Sequence, residues 1–155
     1  MTSEFDMSRI DIPYGILHDQ KLNNVKIEND KMIFTFDIEI YPQNYTDDFY
    51  KQYEGFKYCD MIVDMSEEPF NYFQFVSCPD AKGKFKGLSL EREEFIDVIN
   101  KASSVTFVEC SVAYGEFRIE LCIGYYDAKG QYRKYNKYSM CNIALDAKKI
   151  TWNWY

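Results

Sequence analysis

Apolar and polar side chains alternate one for one from Phe34 to Ile40. Phe34, Phe36, Ile38 and Ile40 take one parity, and Thr35, Asp37 and Glu39 take the other. A period of two belongs to a strand with one face turned inward. Just upstream, Val25 and Ile27 alternate with polar neighbours, and Asn29-Asp30 supplies turn chemistry between the two runs. The pattern predicts a β-hairpin that Pro42 ends. The same period returns in "FKYCDMIVDM", where Cys59, Met61, Val63 and Met65 share one face and Tyr58, Asp60, Ile62 and Asp64 the other. "FNYFQFVSC" reads as a further strand and "PDAKGKFKG" as a turn-rich loop.

The period then changes. In "SLEREEFIDVINKA", Phe95, Val98, Ile99 and Ala102 form one apolar stripe at helical spacing. Ser89 is placed to cap the free N–H groups, with Glu91, Glu93 and Glu94 at the positive end of the helix dipole and Lys101 near its negative end. This predicts a helix over about 90–102, packed by one side on a sheet. "PQNYTDDFYKQYEGF" is open to two readings. Thr46 could cap a short helix over about 46–54, with Phe49, Tyr50 and Tyr53 at helical spacing and Gly55 ending it. An irregular loop is the other reading.

Downstream, "SVTFVECSVAY" alternates weakly and "EFRIELCIGYY" cleanly, with Phe117, Ile119, Leu121 and Ile123 on one face and Gly115 at the join. "DAKG" (Asp127 to Gly130) reads as a turn. "QYRKYNKYSMCNIAL" reads as one long strand bulged near Asn136, and "DAKK" as another turn before "ITWNWY". Short links between successive strands favour antiparallel pairing. The expected fold is α+β, mainly β: a curved or two-layer antiparallel sheet, one clear helix and a short second one. Its 155 residues suit a single domain, 1–155. Aromatics make up 18% of the chain, which fits half-buried pleated surfaces.

Charge and cysteine narrow the function. The net charge of −7 sets the chain against phosphate backbones, so nucleic acid is not an expected partner. Five cysteines, an odd number without a CxxC pair, suggest neither a disulfide framework nor a zinc ribbon. They read as reduced, buried side chains of a cytoplasmic protein. Glu4, Asp6 and Asp11 interrupt the opening stretch, which has no signal-peptide pattern. No apolar run approaches the ~20 residues of a membrane helix, so no membrane partner is expected.

The only histidine, His18, precedes Asp19. On an extended strand the two would face opposite ways, which places Asp19 poorly for orienting His18. No nucleophile motif accompanies them. The expected role of this pair is to anchor the hairpin. With one histidine and no cysteines at ligand spacing, no metal is expected. The acids Asp60 and Asp64 read as a solvated face, and "DAKGKFKG" and "DAKGQYRK" match no phosphate loop. No cofactor and no catalytic residue is assigned.

Charge is sorted along the chain. From Glu39 to Glu68 eight acids meet only Lys51 and Lys57, a net −6, whereas Tyr125 to Tyr155 carries +4. The acidic segment is rich in tyrosine, which offers large contact area with a polar tip. Carboxylates steer and pair a basic partner. The expected partner-binding residues are Tyr45, Asp47, Asp48, Tyr50, Tyr53, Glu54, Tyr58, Asp60, Asp64, Glu67 and Glu68.

The stretch "ILHDQKLNNVKIENDKMIFTF" resembles the opening of small, mostly uncharacterised bacterial proteins. These begin with a Leu-His-Asp or His-Asp step, a polar turn and two alternating strands. Some of them are grouped with immunity proteins of bacterial toxin systems. The matching residues are Leu17, His18, Asp19, Val25, Ile27, Ile33, Phe34 and Phe36, and no catalytic residue comes with them. The resemblance implies a cytosolic, β-rich bacterial domain that neutralises a partner.

The leading expectation is a non-enzymatic protein that binds and neutralises a basic protein partner, a toxin of the nuclease class being the natural target. A small-molecule-binding β domain is the alternative, marked by a deep aromatic pocket. An enzyme built on His18 is the third, and it would need a convergent carboxylate or thiol at that ring.

Overall fold

The structure is a computed structural model and describes residues 2–5, 14–40, 48–66, 71–113, 116–124 and 130–155. It is α+β and mainly β, and the described residues form nine strands in one antiparallel sheet. The strands are β1 (Thr2–Phe5), β2 (Lys21–Glu28), β3 (Lys31–Asp37), β4 (Tyr58–Met65), β5 (Asn71–Ser77), β6 (Gly87–Leu90), β7 (Val105–Ala113), β8 (Glu116–Ile123) and β9 (Tyr138–Trp154). Two single helical turns, α1 (Tyr14–Leu17) and α2 (Asp48–Lys51), and one longer helix, α3 (Arg92–Asn100), complete it, with a 3-10 segment over Gly130–Tyr135.

The predicted hairpin is β2–β3. Asn29 and Asp30 both have left-handed φ, 50° and 60°, as a tight turn matching strand twist demands. Met32, Phe34 and Phe36 point inward, opposite Val63, Met61 and Cys59 of β4. A bulge after Leu22 resets the parity of β2 so that Val25 stays inside.

Strand β9 organises the molecule. Its 17 residues pair first with β8 and β5, then with β4 and β1. The ladder therefore runs β4-β3-β2-β7-β8-β9 and returns to β4. The seam of this ring is thin. Lys21 faces Thr106, the Asp19 N–H donates to the Phe107 carbonyl at 2.9 Å, and the Phe107 N–H donates to Gln20 at 2.9 Å. Inside lie Phe34, Phe36, Phe107, Phe117, Trp152 and Trp154, all essentially inaccessible.

Helix α3 ties the two halves of the sheet together. Phe95 stacks on Phe73 of β5 at 4.4 Å and 16°. At its other end, Asn100 acts as a surrogate strand, accepting the Val25 N–H and donating to the Val25 carbonyl, both at 2.8 Å.

Several expectations need correction. The helix begins at Arg92 with Glu91 as N-cap; Ser89 belongs to β6, paired with Gln74. A sheet edge that could be extended took precedence over the cap. The second helix is a single turn, Asp48–Lys51, whose exit Gly55 has φ +90°. Thr46, Pro42, Gly115 and the proposed turn 127–129 lie outside the described residues. "QYRKY" is 3-10 rather than strand: Tyr132 and Tyr135 donate hydroxyls to Asp97 (2.5 Å) and Glu94 (2.6 Å) of α3, which holds this segment off the sheet. "DAKK" is no turn. β9 runs straight through it, with Ala147 buried and one register shift where β4 takes over as neighbour.

Candidate protein-binding surfaces

The outer face of β4 carries the acids that the sequence singles out. Tyr58, Asp60, Ile62 and Asp64 alternate with the buried set, as the period of two requires. Each has a neighbour, however. Asp60 accepts the Thr35 hydroxyl at 2.7 Å, with the Tyr155 hydroxyl at 3.4 Å. That carboxylate, after burial, helps to push the Tyr155 phenol up. Asp64 lies 3.9 Å from Lys31 and stands opposite Lys149 in the β4–β9 register. Tyr58 packs on Tyr155 with ring centroids 5.6 Å apart. Cross-strand pairing thus sets the acidic stretch of the chain beside its basic stretch.

The rest of the expected surface divides further. Tyr53 is a correction: it is 8% exposed and its ring lies 4.6 Å from that of Trp154. Its phenol is pushed up by burial. The aromatic pattern read as contact area is, at this position, core packing. Tyr50 is half-buried against the core, Glu54 is exposed, and Asp48 is exposed and paired with Lys51 at 2.7 Å. Tyr45, Asp47, Glu67 and Glu68 lie outside the described residues.

A second acidic face lies on the outer side of β7, β8, β9 and β5. It forms a groove of about 490 Å³ lined by Tyr72, Glu109, Ser111, Glu116, Arg118, Glu120, Asn142 and Ala144, among others. Glu109 and Glu120 stand directly opposite one another in the β7–β8 register. Like charges so placed destabilise a sheet, by about 0.2–1 kcal/mol per pair. Neither has an ion-pair partner among the described residues. Among the described residues that line the groove the one cation is Arg118, and Glu116 holds it at 2.9 Å.

Sequence reasoning missed this site for a local reason. Val105 and Phe107 are buried, so simple alternation would send Glu109 inward too. A bulge between Phe107 and Glu109 flips the parity, turning Glu109 out and Cys110 under the sheet. Burial, then the charge of Glu109, pushes the Cys110 thiol up to about 12. The alternation of Glu116, Arg118 and Glu120 was visible in the sequence, but not their partner across the ladder.

The His18 pair is also corrected. Asp19 is not extended; its φ is +65°, and the turn brings its carboxylate 3.0 Å from His18 Nδ1. The imidazole is about half exposed. The backbone of this step closes the seam between β2 and β7, and the Gln20 N–H caps α1 by donating to the Leu17 carbonyl at 2.9 Å. Of the cysteines, Cys59 and Cys141 are buried with thiols raised by burial, and Cys110 is half-buried, but Cys78 and Cys122 are exposed.

Among the described residues, no group of three or more His, Cys, Asp or Glu converges as a metal site, and no helix is long and apolar enough to cross a membrane. Comparison with protein-family models, with curated proteins and with solved structures finds no match for this chain.

Proposed function

We propose that this protein is a non-enzymatic binding protein that takes up a basic segment of a partner protein in the groove over β7, β8, β9 and β5. The observation that carries the reading is the Glu109–Glu120 opposition. Two carboxylates are held side by side at some cost in stability, in an open groove, and neither has an ion-pair partner among the described residues. An arginine or lysine entering from a partner relieves that repulsion and gains charge-assisted hydrogen bonds. Tyr72 adds a ring for stacking on a guanidinium.

The earlier candidate surface on β4 supports the reading less well, since its acids already have partners in the fold. Neutralisation of a nuclease toxin is the sharpest form of this function. A nuclease must carry a basic site for its phosphate substrate, and a carboxylate groove can occupy it. The resemblance of the Leu17–Phe36 stretch to small bacterial proteins, some of them grouped with immunity proteins, supports the same direction.

The test is calorimetric titration of the protein against the product of a neighbouring toxin gene and against an oligo-arginine peptide. Binding that weakens steeply with salt is expected. The double variant Glu109→Gln/Glu120→Gln should weaken it at least tenfold and flatten its salt dependence, while Asp64→Asn should leave both unchanged. Binding indifferent to the double variant would remove the groove from consideration.

A further inference from the structure

The loop between β5 and β6 is the feature that the acidic groove does not explain. Its backbone is closed by its own hydrogen bonds. The Asp80 carboxylate accepts the N–H groups of Lys82 (2.8 Å) and Lys84 (3.0 Å), and the Asp80 N–H donates to the Lys84 carbonyl at 2.9 Å. The Gly83 N–H closes onto the Asp80 carbonyl at 2.8 Å with φ +73°, a conformation that disfavours side chains. At the base, the Lys86 N–H donates to the Ser77 hydroxyl at 3.0 Å, and the Ser77 N–H donates to Lys86 at 2.9 Å.

This hydrogen-bonded frame displays Phe85, which is 64% exposed, the most exposed large apolar side chain among the described residues. The same loop carries Lys82, Lys84 and Lys86, all exposed and none with an ion-pair partner among the described residues. Elsewhere Lys21, Lys26, Lys31, Lys51, Arg92, Arg118 and Lys134 each lie against a carboxylate. Lys57 and Lys101 also lack an ion pair among the described residues, but among these residues only this loop flanks an exposed phenyl group with exposed lysines on both sides in the chain, within a protein of net charge −7. The turn itself needs only Asp80 and Gly83, so its hydrogen bonds do not account for Phe85.

We infer that this hairpin tip docks into the β7–β8–β9–β5 groove of a second copy of the chain, Phe85 seated by Tyr72 and Ala144 and the lysines meeting Glu109 and Glu120. Charge complementarity selects this occupant, because both halves of the contact are present on one molecule. The groove, about 490 Å³, is within the size of sites that enclose several side chains' worth of ligand. An anionic bilayer or a nucleic acid is a poorer match, since the body behind the loop is strongly acidic and repels both. The tip and the groove are different surfaces of one chain, so the contact closes a two-fold pair if both tips engage at once and otherwise builds rings or open chains. It also places the chain's own loop in competition with any basic partner. The inference rests on the groove accepting basic segments, as proposed above.

Sedimentation velocity over a range of concentrations tests it. The wild-type protein should associate with a dissociation constant of about 0.1–1 mM. Phe85→Ser should weaken that at least tenfold without changing the fold seen by circular dichroism. A loop-reversed variant (Lys82→Glu, Lys84→Glu, Lys86→Glu) and a groove-reversed variant (Glu109→Lys, Glu120→Lys) should each be monomeric alone and associate when mixed. Oligo-arginine should dissolve the wild-type assembly. A wild-type protein that stays monomeric throughout, or self-association untouched by both reversals, overturns the inference. If monomeric protein still binds oligo-arginine in the groove, only self-docking is lost. If it binds neither, the functional reading falls as well. Adsorption to anionic vesicles that depends on Phe85, without self-association, would reassign the tip to a lipid surface and also overturn the inference.

Discussion

The two outer faces of this sheet carry similar numbers of acids and behave differently. On the face of β3, β4 and the end of β9, each acid on the strands has found a partner: Asp60 has Thr35, Asp64 has Lys31, and Asp37 has Lys21. On the face of β7, β8 and the start of β9, Glu109 and Glu120 confront each other. The first face is what the linear sequence marks as strongly acidic; the second it passes over. Charge density along a chain is therefore a poor guide to charge density in space when strands far apart in sequence lie side by side. The local field belongs to the ladder, not to the segment.

The largest expected effect separates packing from recognition. Tyr53→Ala should cost about 3 kcal/mol, in the range of large aromatic deletions from a core, because the ring lies against Trp154. Tyr58→Ala, on the exposed side, should cost under about 1 kcal/mol. Urea unfolding measures both. If Tyr53→Ala were as stable as wild type, the β4 side would regain its standing as a contact surface.

Next is the joint between the halves. Asn100→Ala should lose about 1–3 kcal/mol, since it strips the Val25 N–H and carbonyl of their partner. Hydrogen exchange at Val25 should accelerate with it. An unchanged exchange rate would mean that the helix does not clamp β2.

A pH experiment reads the field under the groove. The Cys110 thiol is raised from 9.0 to about 12 in the folded state, burial first and Glu109 second. A raised acid is protonated in the native state while the unfolded chain ionises. Its stabilisation is complete below pH 9 and is lost as pH climbs from 9 towards 12. Cys110→Ala should flatten that alkaline decline, and Glu109→Gln should shift its midpoint slightly downward. A decline identical in all three proteins would place the responsible group elsewhere.

The smallest effects differ in sign, and the sign is the point. Glu120→Gln should stabilise the protein by about 0.2–1 kcal/mol by ending a like-charge opposition. Asp64→Asn should destabilise it by no more than about 1 kcal/mol, as the exposed Lys31 pair is lost. Two losses of similar size would erase the contrast between the faces.

What the residues determined alone was local. Strict alternation placed Phe34–Ile38, Cys59–Met65 and Phe117–Ile123 on inner faces, Asn29-Asp30 made the first turn, and the apolar stripe from Phe95 to Ile99 made the helix. These follow from backbone geometry within a few residues and need no knowledge of the partner strand.

Tertiary structure decided the rest. Polar "DAKK" continues a strand because β4 replaces β8 and β5 as its neighbours, so the backbone groups stay paired where the sequence reads as a turn. "QYRKY" leaves the sheet because two tyrosine hydroxyls find carboxylates on α3. Tyr53 became core because Trp154 lay within reach. The acidic groove itself depends on a single bulged residue in β7, since a period of two has no memory: one extra residue exchanges inside for outside for everything that follows.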